Sequence, residues 1–279
     1  MKGLLLAGGT GSRMWPTTMV ISKHLIPCYD RPTIYYPLST LIELGVDDLC
    51  IVCRGKDRSS IDLLLADLIK SLNLHLTFVI QDEPLGLAHA IVVAKEWISD
   101  QPFWMILGDN LFSHTPASGM REGCLGFTCD LEDPRAFGVV GTEGHRIIRI
   151  EEKPKEIFSH KVLTGLYWFD NSAWSRASQL KPSPRGELEI TDLFKSYITT
   201  GRTAWHYPLE GRWFDNGTAD QMHAAASFVK ELWEGEGQII GSPELSALKK
   251  GVIDKKKFEQ MVWQMPNCHY KTMLSLAPI

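Results

Sequence analysis

"KGLLLAGGTGSRMWPTT", Lys2–Thr18, begins as an apolar run, breaks into glycines and ends on Arg13 followed by Met14, Trp15 and Pro16. A short apolar run that passes directly into a glycine-rich turn has the form of a buried strand of a parallel sheet, whose carboxyl end is where open α/β sheets take their ligands. Three more runs of this kind follow: "DLCIVC" (Asp48–Cys53), "HLTFVIQ" (His75–Gln81) and "FWMILGD" (Phe103–Asp109), all read as central strands that are apolar on both faces. Between them lie "TIYYPLSTLIELG" (Thr33–Gly45), "SSIDLLLADLIKSL" (Ser59–Leu72) and "GLAHAIVVAKEWIS" (Gly86–Ser99), each with apolar residues three and four apart. The order β-α-β-α-β-α-β predicts an α/β fold: a doubly wound, Rossmann-like sheet with helices on both faces.

After Asn110 the alternation loosens. "GCLGFTCDL" (Gly123–Leu131), "GVVGTEGHRIIRIEE" (Gly138–Glu152) and "KVLTGLYWFD" (Lys161–Asp170) read as strands joined by turns, with Thr142–His145 as a hairpin signal, so the sheet is expected to become mixed. Helical stretches are expected at Asn171–Leu180 and Thr191–Thr200, a strand at Thr203–Leu209, and mostly helix from Thr218 onward. Residues 1–238 are read as one α/β domain, and 239–279 as a helical C-terminal extension packed on it.

The chain has 279 residues, 44% of them hydrophobic and 22% charged, enough to bury a large core. A formal net charge of -4 argues against a nucleic-acid partner, whose phosphates need many Lys and Arg residues. No stretch has the order of regions of a signal peptide or the roughly 18 apolar residues of a membrane span, so a cytoplasmic protein without a membrane partner is expected. Cys50 and Cys53 form a C-x-x-C, but strand alternation sends them to opposite faces, which suits core thiols rather than a disulfide or metal site.

The opening loop fails two better-known phosphate motifs. A Walker A requires Lys after its glycines, and none is present; a G-x-G-x-x-G fingerprint starting at Gly9 and Gly11 meets Met14 at its third glycine. Gly8, Gly9 and Gly11 still offer a run of backbone N–H groups suited to phosphate oxygens, and Arg13 adds a forked cation. Lys23 follows a few residues on as a possible second cation. Asp109 and Asp215 are carboxylates at candidate turns; together they could hold a Mg²⁺ whose remaining positions go to water and phosphate.

Together these residues resemble the glucose-1-phosphate thymidylyltransferases, within the sugar nucleotidyltransferases. The resemblance runs through "LLLAGGTGSRMWPTT", "SKHLIPCYDRPTIYYPLSTL", "QDEPLGLAHA", "LGDN", "FGVV", "IEEKP", "LTGLYWFD", "LKPSPRGELEITD" and "FDNGT", in the family's order and approximate spacing, from Lys2 to about Asp254. It implies transfer of a thymidylyl group from dTTP to glucose 1-phosphate, with Mg²⁺ as cofactor, in a homotetramer built as a dimer of dimers.

By resemblance, Gly8, Gly11, Ser12 and Arg13 wrap the triphosphate, and Lys23 binds phosphate. Gln81 and Gly86 read the pyrimidine edge. Asp109 and Asp215 are the metal ligands, and Asn110 contacts the sugar phosphate. Gly138, Glu152 and Leu163 line the glucose pocket, while Lys153 holds the sugar 1-phosphate. Arg13, Lys23, Lys153 and Asp109 are thus the expected catalytic set.

Several positions depart from the family pattern: Ser12 for Thr, Leu85 for Asp, His89 for Gln, Gly141 for Glu, Leu163 for Val, and Asn216 for Thr. The stretch between Asn110 and Gly138 is shorter, and the last residues differ most. Thymine and uracil differ only by a methyl contact, so use of UTP is an alternative. A second alternative is a nucleotide-sugar sensor without turnover, which would be expected to lose a metal carboxylate or the loop Arg; this chain keeps both.

Overall fold

The computed structural model describes residues 1–116 and 122–278; residues 117–121, within the shortened stretch after Asn110, lie outside them. The chain starts with β1 (Lys2–Ala7), a small ribbon of β2 (Pro27–Cys28) and β3 (Arg31–Pro32), and α1 (Tyr35–Glu43). Next come β4 (Asp48–Cys53), α2 (Gly55–Ser71), β5 (His75–Ile80), α3 (Leu87–Val93), α4 (Lys95–Ile98) and β6 (Phe103–Leu107). The second half contains β7 (Leu111–Phe112), β8 (Cys124–Asp130), β9 (Gly138–Glu143), β10 (Arg146–Glu152), β11 (Lys161–Phe169), α5 (Ala173–Ala177), α6 (Ile190–Thr199), β12 (Ala204–Pro208) and β13 (Trp213–Phe214). It closes with α7 (Ala219–Glu236), α8 (Pro243–Lys250), α9 (Lys255–Gln264) and α10 (His269–Ser275).

The main sheet has nine strands among the described residues, in the order β5-β4-β1-β6-β11-β8-β12-β10-β9. β5, β4, β1 and β6 are parallel, and β1 lies between β4 and β6. The chain winds outward through β4 and β5, then crosses back to lay β6 against the other side of β1. That reversal is a topological switch point, so the loops leaving β1 and β6 open side by side into one crevice. Gly108 N–H donates to the Leu6 carbonyl at 2.8 Å, which ties the two exits together.

Beyond β6 the pairing turns antiparallel through β11 and β8, and β12 inserts parallel to β8. β10 and β9 form the expected hairpin, and β9 comes back to meet β11 at Val139 and Val162. This half of the sheet is therefore curled onto itself.

One apolar layer joins Leu41 of α1 and Leu65 of α2 with Leu245, Phe258 and Met273 of α8, α9 and α10. The opposite layer joins Ile91 of α3 and Trp97 of α4 with Ala173 of α5 and Phe194 of α6. α7 packs separately, through Met222, Ala225 and Val229, against Cys28, Tyr36 and Leu111. Cys53 lies in the first layer and Cys50 in the second, as alternation requires; both thiols are free, and burial pushes them up to about 11 and about 12.

Three local expectations need correction. β5 is an edge strand with alternately exposed residues rather than a central one, because no strand follows it outward. The single helix expected over Gly86–Ser99 breaks at Ala94 into α3 and α4. β6 ends at Leu107, so Asp109 stands in the turn beyond the strand, free of the sheet's hydrogen-bond ladder.

Candidate active site

The opening loop leaves β1 at Gly8 and makes its tightest turn at Gly11, whose φ of 65° is left-handed. A Cβ there would fall 2.7 Å from Thr18 Cγ2, and the Thr18 hydroxyl donates to the Gly11 carbonyl at 2.8 Å. The loop thus closes on itself, and Ser12–Met14 continue as one turn of 3-10 helix. Ser12 and Arg13 are exposed.

Lys23 lies under this loop, its Nζ 3.2 Å from where a Gly9 Cβ would stand. Its ammonium pairs with Asp109, which is 8% exposed. Burial alone would raise the Asp109 carboxyl; the Lys23 charge, with hydrogen bonds from Lys23 and Asn110, outweighs it and holds the group below the usual carboxylate range. Asn110 Nδ2 donates to Asp109 at 3.0 Å. Asn110 Oδ1 in turn accepts from the Trp213 indole at 2.6 Å and from Gly165 N–H at 3.1 Å.

Asp215 comes to the same point from β13, which pairs with β7 directly after Asn110. Burial raises its carboxyl, opposed by the Gly217 N–H and reinforced by the charge of Asp109, with Arg13 and Lys23 acting in the lowering direction. The Arg13 guanidinium lies over Gly217, 2.6 Å from a Cβ built there. Arg13, Lys23, Asp109 and Asp215 therefore meet at the shared mouth of β1 and β6.

The two carboxylates suit a hard divalent cation. The charge of Asp109 raises the cost of ionising Asp215, and Asp215 accepts only a 3.3 Å hydrogen bond from Gly217 among the described residues. Two carboxylates would leave most of a cation's shell to water and ligand oxygens, as Mg²⁺ prefers. Asn216, between Asp215 and Gly217, is fully buried with a φ of 44°, and neither of its side-chain polar atoms has a partner. Unmet polar capacity at this turn fits a site that gains a hydrated ligand.

A second pocket forms in the curled half. Gly138 and Glu152 face each other across β9 and β10, and a Cβ on Gly138 would lie 2.6 Å from Thr191 Cγ2, 3.4 Å from Glu152 Oε2 and 3.9 Å from Leu163 Cδ1. Gly138, Glu152 and Leu163, far apart in sequence, are brought together. Burial and neighbouring Glu189 raise the Glu152 carboxyl, while Lys153, Thr191 and Arg185 oppose them. Lys153 follows at an exposed, left-handed position (φ 45°), its N–H bonded to the Phe137 carbonyl at 3.0 Å. The Phe137 ring meets Trp213 edge-on at 5.5 Å, so Phe137, Trp213 and Asn110 connect the two pockets.

Gln81 and Gly86 stand on the other flank, beside Gly8: a Gly8 Cβ would lie 3.4 Å from Gln81 Oε1. Gly86, with φ 98°, passes so close to the Leu188 backbone that a Cβ would fall 2.5 Å from its carbonyl oxygen. Leu188 is held there by hydrogen bonds to Leu85 and Ala88.

Sequence reading missed Arg185, Thr191 and Trp213 as individual site residues. Arg185 lies within 3.5 Å of Glu152, Glu187 and Glu189, and Thr191 donates to Glu152 at 3.2 Å. The signals were present in "RGELEIT", a lone Arg among glutamates, and in the Trp two residues before Asp215.

The chain belongs to the nucleotidyl transferase family, whose profile matches residues 2–231. Within it the chain is similar to the glucose-1-phosphate thymidylyltransferase of Neisseria meningitidis, 38% identical over 279 residues covering 97% of this chain and 96% of that protein. It is also similar to that of Mycobacterium tuberculosis, 38% identical over 93% of each chain. Among solved structures, a Bacillus anthracis protein described as a glucose-1-phosphate thymidylyltransferase, in complex with a sucrose, superposes with a TM-score of 0.75 at 35% identity, over 82% of this chain and 94% of that one. A UDP-glucose pyrophosphorylase at 24% identity and TM-score 0.73, over 82% of this chain and 98% of that one, shares the fold.

Proposed function

We propose that the protein transfers a thymidylyl group from dTTP to glucose 1-phosphate, releasing pyrophosphate and forming dTDP-glucose. The observation that carries this is the meeting of Arg13, Lys23, Asp109 and Asp215 at one mouth of the sheet, connected through Asn110, Trp213 and Phe137 to the pocket of Gly138, Glu152 and Leu163. The names of the similar proteins support the same substrates.

In this reaction a phosphate oxygen of glucose 1-phosphate forms a bond to the α-phosphorus of dTTP, and the bond from that phosphorus to the bridging oxygen of the leaving pyrophosphate breaks. A phosphate nucleophile is already anionic at neutral pH, so no general base is needed, and the protein's work is alignment and charge neutralisation. Gly8, Gly11 and Ser12 offer backbone N–H groups to the triphosphate, and Arg13 stabilises charge on the departing pyrophosphate. Lys23 turns from Asp109 to the α-phosphate. Lys153 and Asn110 hold the attacking phosphate, while Gly138, Glu152 and Leu163 enclose the sugar. Asp109 and Asp215 would hold Mg²⁺, which when bound neutralises the reacting phosphates.

By resemblance to the family we infer a cytoplasmic homotetramer. Among the described residues no helix is long and apolar enough to cross a membrane. Trp263 on α9 and Leu276 after α10 are large exposed apolar side chains of the kind that subunit contacts cover. Light scattering should then give four times the chain mass. Residues 239–279 are treated as an extension of the α/β unit, sharing its core.

Pyrophosphate release, measured separately with dTTP, UTP and CTP in the presence of glucose 1-phosphate and Mg²⁺, tests the assignment. Release with dTTP is expected. Release with UTP alone would replace dTTP as donor, and release with none would refute the transfer.

A further inference from the structure

Lys23 stands between two parts of the charged mouth. Its ammonium donates to Asp109 Oδ2, and the other carboxylate oxygen, Oδ1, accepts from Asn110 Nδ2 at 3.0 Å. The two side chains are only 15% and 11% exposed, so solvent ions screen the pair little. The same ammonium lies against the phosphate loop: a Gly9 Cβ would stand 3.0 Å from Lys23 Cε and 3.2 Å from Nζ, and the bare glycine leaves it room. Lys23 thus reaches both a metal carboxylate and the loop that takes the triphosphate, and its flexible four-carbon stem lets it swing between them.

A buried carboxylate without a counter-charge is costly. In the free protein Asp109 avoids that cost by pairing with Lys23. The pairing also keeps other cations from Oδ2, since a divalent ion there would face an ammonium at close range. Asp215 then remains as the open member of the carboxylate pair, whereas a hard dication is held by carboxylates together with substrate phosphates. A triphosphate entering the loop changes the balance: its oxygens compete for Lys23, and drawing the ammonium away leaves Asp109 in need of a cation.

We propose that Lys23 is a stand-in for the metal, holding Asp109 in the free protein and releasing it to a triphosphate, so that cation and nucleotide are taken up together. The inference rests on the transfer proposed above, which brings both to this mouth, and extends it to the loading of the site. Asp109 is paired at every stage of the exchange. By linkage, the nucleotide raises the affinity for the cation by the same factor as the cation raises that for the nucleotide.

The test titrates Mn²⁺, followed by electron paramagnetic resonance, into the protein alone at about pH 8, where carboxylates are ionised, with no nucleotide present. Lys23→Met keeps an unbranched stem and removes the charge; with folding checked by circular dichroism, it should bind Mn²⁺ about tenfold or more tighter than wild type. Adding Asp109→Asn to that chain should abolish the gain. Arg13→Ala removes an exposed cation of the same mouth that is not paired with Asp109, and should change the affinity by less than about threefold. If Lys23→Met does not fold, Lys23→Gln, which still offers Asp109 a donor, should show a gain of about fivefold or more. Wild-type affinity in the folded Lys23 variant, a gain that survives Asp109→Asn, or an equal gain in Arg13→Ala overturns the exchange. No nucleotide takes part, so these results leave the transfer standing. A wild-type chain that releases pyrophosphate from no nucleotide overturns the transfer, and with it the nucleotide's part in the exchange.

Discussion

The parallel half of the sheet and its curled half build their pockets differently. At the mouth of β1 and β6 the site is made by loops, and its residues are charges: Asp109 and Asp215 just beyond β6 and β13, with Arg13 and Lys23 on the segment that leaves β1. In the curled half it is made by residues within strands, Gly138 opposite Glu152 with Leu163 behind them, and its floor is close-packed. A loop-borne charged site can follow phosphates as they separate. A strand-borne pocket holds one shape, which suits a sugar.

The largest effect is expected where charge is removed from the first region. Arg13→Ala or Asp109→Asn should lower kcat/KM by about 100-fold or more, a loss on the order of 3 kcal/mol in transition-state stabilisation, in steady-state assays of pyrophosphate release. Near-normal turnover in Arg13→Ala would remove Arg13 from the catalytic set. Gly217→Ala displaces the Arg13 guanidinium without deleting it, since the new Cβ would stand 2.6 Å from Nη2. A fall of about tenfold, mainly in kcat, is expected there.

A methyl group placed in the second region should act on the other substrate. Gly138→Ala puts a Cβ 2.6 Å from Thr191 Cγ2, among Glu152 and Leu163. The KM for glucose 1-phosphate should rise about tenfold while the KM for dTTP stays within about twofold. Equal rises in both would mean that the two pockets do not divide the substrates.

The smallest effect concerns stability. His24 lies under Gly108, fully enclosed, with Ser22 Oγ 3.0 Å from its Nδ1; burial, aided by the Lys23 charge, lowers its pKa from 6.5 to about 3. Between these values the unfolded chain binds a proton that the folded chain refuses. Stability is therefore full above about pH 6.5 and falls as pH falls, by on the order of 1 kcal/mol per pH unit. Urea midpoints taken from about pH 7 to about pH 5 should show this fall, and His24→Asn should flatten it.

The same division explains what could be read from the sequence. The parallel strands announce themselves as apolar runs, and the loops of Gly8–Arg13 and Asp109 can be read as following strand ends, but only the fold sets β6 beside β1. Lys23 follows the first of these loops closely in the chain but is 86 residues from Asp109. The curl of the second half has no such local sign: β12 enters parallel to β8, and β9 meets β11 through one pair, Val139 and Val162. The contact of Arg185 with Glu152 depends on that curl, and that of Trp213 with Asn110 on the separate ribbon of β7 and β13, so no spacing rule reveals them. Gln81 is a third case, since "QDEPLGLAH" names its partners but only the turn at Gly86 brings the Gly86 carbonyl and His89 to its amide.

The most direct test is ³¹P NMR of the protein with dTTP, glucose 1-phosphate and Mg²⁺. The coupled diphosphate signals of dTDP-glucose and the signal of pyrophosphate should grow in equal amounts, and neither should form when either substrate is omitted. Orthophosphate, pyrophosphate without the sugar phosphate, or unchanged spectra would contradict a site in which the two halves join nucleotide to sugar.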